Sequence, residues 1–91
     1  MSFPLSILYV QQLSSSYQRP RALVVEEMLK DSLQIEKDVK DVQELVNKMK
    51  NTTSQDQMMM YISQMENDLQ DVYNRVKQIY TDFQELMKHT N

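Results

Sequence analysis

Residues 58–86 read MMMYISQMENDLQDVYNRVKQIYTDFQEL, and the spacing of their apolar side chains decides the fold class. Met58, Ile62, Met65, Leu69, Val72, Val76, Ile79, Phe83 and Leu86 succeed one another at intervals of 4, 3, 4, 3, 4, 3, 4 and 3. Intervals alternating between four and three hold all of these side chains on one side of a slightly underwound α-helix. In that heptad Ile62, Leu69, Val76 and Phe83 take position a, and Met58, Met65, Val72, Ile79 and Leu86 take position d. Helices patterned this way pack on other helices. A helix over residues 55–89 would be roughly 50 Å long.

Upstream, residues 21–50 carry a looser copy of the pattern. Val25, Met28, Ile35, Val39, Val42, Val46 and Met49 share one heptad frame, interrupted by Ser32 and widened by Leu29, Leu33 and Leu45. Glu26 with Lys30, Glu36 with Lys40 and Glu44 with Lys48 are correctly oriented i,i+4 pairs and mark a solvated outer side. Between the two helical stretches lies Asn51-Thr52-Thr53-Ser54, too short for anything but an antiparallel connection. Ser54 followed by Gln57 matches a capping box, and Asp56 adds an acid to the first turn. Asn51-Thr52-Thr53 also has the form of a glycosylation acceptor.

The composition supports an all-α reading. The chain has 91 residues, no glycine, and prolines only at Pro4 and Pro20. Tight hairpin turns and phosphate-cradling loops lean on glycine, so β-rich folds, P-loops and dinucleotide sites are excluded. With no cysteine there is neither a disulfide framework nor a thiolate metal site. The single histidine, His89, is expected in solvent. Paired acids such as Glu26–Glu27 or Asp68–Asp71 sit beside or opposite the apolar stripe, where nothing raises a pKa to a catalytic value. No enzyme, cofactor or metal is expected. A net charge of −3, with bases interspersed among acids, is a poor footprint for nucleic acid. No apolar run approaches the ~20 residues of a membrane span, and an intracellular, cytoplasmic location is expected.

Residues 1–18 carry no charged side chain. Ser2 can cap a short amphipathic helix over about residues 3–15, with Leu5 and Leu8 on one side and Pro20 beyond its end. The stretch lacks a basic leader region and a small-residue cleavage motif, so a secretory signal is not expected. In composition this serine-rich, charge-free start is similar to the N-termini of substrates of bacterial needle-type secretion systems. The chain thus divides into an apolar arm, residues 1–20, and a helical hairpin, residues 21–91.

Tyr73 and Tyr80 fall at position e, in one row with Met59 and Met87, and Tyr61 falls at g. This row widens the apolar face beyond what a two-stranded coiled coil covers. Consecutive residues turn by about 100°, so Met58, Met59 and Met60 fan over roughly 200° and cannot share one seam. Met58 and Met65 are expected in the core near Met49 and Val46. Met59 belongs to the boundary, and Met60 points outward, toward a contact beyond this chain.

Two antiparallel helices bury one stripe each and leave their flanks open, and an arm of about a dozen residues covers less than half of the length. The sequence therefore predicts completion into a bundle, by homo-oligomerisation or by a protein partner's helices. The expected function is a non-enzymatic interaction or scaffold subunit. Its docking residues would be Met58, Met59, Met60, Tyr61, Ile62, Met65, Leu69, Val72, Tyr73, Val76, Ile79, Tyr80, Phe83, Leu86 and Met87, with Leu5 and Leu8 of the arm. The alternative is a small regulatory binder, such as a secretion chaperone, adaptor or anti-activator, that clamps a client helix.

Overall fold

A computed structural model describes residues 19–90 and shows two long helices packed on each other as an antiparallel hairpin. Helix α1 spans Arg21–Lys50 and α2 spans Gln55–Thr90. The short helix expected over residues 3–15, with Leu5 and Leu8, lies outside the described residues.

Local chemistry sets the helix ends. Pro20 caps α1 at φ −53° and ψ 142°, and its carbonyl accepts the amides of Leu23 at 3.0 Å and Val24 at 3.1 Å. A pyrrolidine ring holds that φ without any ordering cost at the cap. At the other end the Asn51 amide donates to the Lys48 carbonyl and the Thr52 amide to the Met49 carbonyl, both at 3.3 Å. The Thr52 hydroxyl closes on the Lys48 carbonyl at 2.7 Å. Asn51 stays at φ −104°, and no described residue has a positive φ, so the connection needs no glycine. The Ser54 hydroxyl then accepts the Gln57 amide at 3.3 Å and starts α2.

Heptad packing joins the helices, but the seam is turned away from the a/d stripe. On α1 the row Met28, Ile35, Val42, Met49 is half-buried, as is the d row Met58, Met65, Val72, Ile79, Leu86 on α2. Beside these lie the g rows: Val24, Asp31, Asp38 and Leu45 are buried on α1, facing Tyr61, Asp68, Arg75, Asp82 and His89 on α2. The a rows are left out. Val25, Ser32, Val39 and Val46 are exposed, and so are Ile62, Leu69, Val76 and Phe83.

This corrects the expected packing, and the reason is the width of each apolar arc. Both helices are apolar across d, a and part of e, an arc of about 100° that one neighbouring helix cannot cover. The hairpin meets at the d edge of both arcs. The charged g rows supply bonds across that edge, and the a and e rows stay open. Acids are consequently enclosed: Asp68 and Asp71, expected on a solvated face, are half-buried, and Asp31, Asp38 and Asp82 are buried. His89, expected in solvent, is half-buried as well. The only buried apolar side chains among the described residues are Val24 and Leu45, at 0% and 6% exposure. A core this thin makes a lone hairpin marginal.

Candidate helix-docking face

The open rows of the two helices lie on the same side of the hairpin. Near its open end Val25, Met28, Leu29 and Ser32 of α1 line one shallow groove together with Ile79 and Leu86 of α2. Toward the tip, Ile62, Met65 and Leu69 form a second apolar depression edged by Glu66 and Gln70. In between, the Tyr80 and Phe83 rings stack with centroids 6.5 Å apart, and the Lys77 ammonium sits 5.2 Å over the Tyr73 ring. Phe83 is 49% exposed and Val76 51%.

The opposite side differs in kind. Around Leu45 it presents Asp41, Glu44, Lys48, Gln64, Asn67 and Asp68. The hairpin is therefore two-faced, largely apolar on the a rows and on the e row of α2, and largely polar on c and f, with Met60 an exception.

The residues singled out in the sequence fall into three groups. Ile62, Leu69, Val76, Phe83, Tyr73, Tyr80, Met59 and Met87 are exposed in the a and e rows of the open face. Met58, Met65, Val72, Ile79 and Leu86 line the seam, half-buried, with Ile79 and Leu86 also forming the floor of the groove. Tyr61 is half-buried in the g row, and Met60 is exposed in the f row, off the open face.

A polar network fills the g side of the seam. Arg75 donates from Nη1 to Asp31 Oδ1 and from Nε to Asp71 Oδ2, each at 2.9 Å, and so bridges the helices. Gln34 Nε2 donates to Asp38 Oδ1 at 3.1 Å. Asp38 and Asp71 form a carboxyl–carboxylate pair. Its hydrogen bond to Asp71, then burial, lifts Asp38 above the ordinary carboxylate value. The same bond, then Arg75, holds Asp71 below it. Carboxylate oxygens of Asp38, Asp41 and Asp68 lie within 4.8 Å of one another. At the open end Arg19 reaches Asp82 at 2.6 Å and Glu85 at 2.7 Å, and this partner depresses the Glu85 pKa.

Sequence reasoning missed this network. The signal was present as charged or polar residues at sevenfold spacing next to the d rows: Asp31 and Asp38 between Val24 and Leu45, and Asp68, Arg75, Asp82 and His89 on α2. No helix among the described residues is long and apolar enough to cross a membrane. Compared with protein-family models, with curated proteins and with solved structures, the chain matches none of them.

Proposed function

We propose that the chain is a non-enzymatic interaction or scaffold subunit that assembles through helix–helix packing, with the a/e face as its docking surface. One observation carries the reading: both helices leave their a and e rows open on the same side. A groove between two helices accepts further helices through anchors at i, i+3, i+4 and i+7. Tyrosine rings at its margin suit an interface edge, packed on the ring and wet at the hydroxyl. An intracellular location belongs to the same proposal.

Substitutions on the two faces test it. Leu69→Asp and Val76→Asp each place a charge in the open face, whereas Gln64→Asp places one on the polar side. Self-association measured by light scattering, or capture of a partner on immobilised chain, should disappear in the first two variants and persist in the third. Association that survives Leu69→Asp and Val76→Asp would refute the docking face. A native chain that stays monomeric and binds only an added client helix would favour the regulatory binder over the scaffold.

A further inference from the structure

We propose that the occupant of the open face is a second copy of this chain, stacked face to face so that the two hairpins close a four-helix bundle. The inference rests on the docking reading above and names its partner.

Four observations point to a second copy. The first is geometric. The open face is two helices wide and runs along both, so what covers it must itself offer two long antiparallel helices with apolar rows at heptad spacing. The a rows of α1 and α2, widened by Leu29 on α1 and by the e row of α2, are such a surface, and a two-fold axis presents each to its like.

The second is area. Half-exposed Phe83, Tyr73 and Tyr80, with Val25, Leu29, Val39, Leu69 and Val76 around them, offer an apolar surface on the order of 800 Å². That is the share one partner contributes to a standard stable interface.

The third is charge order. Along the exposed margin of α1, Glu26 and Glu36 precede Lys40 and Lys50; along α2, Glu66 precedes Lys77. Each margin thus runs from acid to base. Face-to-face stacking of antiparallel hairpins gives every helix an antiparallel neighbour across the interface, which sets acids opposite bases. In the a row of α1 the only polar residue, Ser32, donates its hydroxyl to the Leu29 carbonyl at 2.8 Å. Covering it leaves no unsatisfied donor.

The fourth concerns Arg19, just ahead of α1. Arg19 is held by Asp82 and Glu85, in the g and c rows of α2. Arg19 therefore lies on the side away from the open face and leaves that face clear.

The test uses the full chain, whose lack of cysteine lets single thiols report cleanly. Light scattering at micromolar concentration is combined with alkylation of two variants, Ser32→Cys on the open face and Gln64→Cys on the polar face. The expected result is twice the 10.9 kDa chain mass, with the Ser32→Cys thiol protected at least tenfold relative to the Gln64→Cys thiol and released on dilution. A one-chain mass with full helicity would overturn the second copy and leave the docking face to another occupant. A two-chain mass with the Ser32→Cys thiol fully reactive would overturn both, because the copies would then meet elsewhere.

Discussion

Arg75 on α2 donates to Asp31 on α1 across 2.9 Å, and this bond ties the polar side of the hairpin together while Asp71 accepts from the same guanidinium. Asp31 is 8% exposed, so its carboxylate depends on that donor. Removing one member of an enclosed pair leaves the other uncompensated, whereas replacing both with apolar side chains removes the cost altogether. Arg75→Leu alone should lower the thermal midpoint by several degrees. The double change Asp31→Leu with Arg75→Leu should recover the loss or exceed it. A double variant as unstable as the single one, in thermal melts followed by circular dichroism, would show that the pair does not act as a unit.

The Asp38–Asp71 pair gives a pH signature of known sign. Asp38 has a folded pKa above its ordinary 3.8, so its proton stabilises the hairpin below that value, and the contribution is lost as pH rises through the raised folded pKa. Once the shared proton is lost, the two adjacent carboxylates repel. Asp38→Asn keeps the shape and removes the charge, and should raise the thermal midpoint at pH 7 while giving no gain near pH 3. An unchanged midpoint at pH 7 would count against the pair.

Glu85 runs the other way. Arg19 holds its pKa below 4.5, so the stabilisation is complete above that value and is lost as pH falls through the depressed folded pKa. Carboxyl titration by NMR should find the Glu85 midpoint below 4.5 in the native chain. In Arg19→Ala it should return to the ordinary glutamate range. A midpoint indifferent to Arg19 would remove the clamp from the account.

How much of this was legible in the sequence follows from what periodicity measures. The 4,3 spacing of Met58 to Leu86 and the glycine- and proline-free run from Arg21 onward specify two helices, and the four polar residues between them make the helices antiparallel. Spacing reports that a stripe exists and how wide it is. It does not report which edge of the stripe meets the neighbour, because d/g and a/d seams satisfy the same repeat. Thus Val76 and Phe83, placed on the packing stripe by their intervals, are exposed, while Asp82, just off that stripe, is fully enclosed. The burial of Asp38 depends on the rotation of both helices at once and on partners more than 30 residues away, and no local pattern encodes that. The width of the arc was legible too: the e row of α2 extends the apolar side beyond a/d, and Met59, Tyr73, Tyr80 and Met87 are exposed in the hairpin.

Leu45 separates the two sides of the hairpin energetically. It is 6% exposed within a single hairpin, so Leu45→Ala should cost about 2–4 kcal/mol in urea unfolding. Gln64→Ala, exposed on the polar face, should fall within about 0.5 kcal/mol of native. Equal effects at the two positions would contradict the observed seam.

The central claim, that the apolar a/e face is covered by a second copy, is tested most directly by how the thermal midpoint depends on concentration. Association stabilises the folded state by mass action, so melts over a hundredfold range of chain concentration read it without any label. The account predicts a midpoint that climbs steadily with concentration in the native chain and a lower, concentration-independent one in Val76→Asp. A native chain that melts cooperatively at one temperature across the whole range would contradict it.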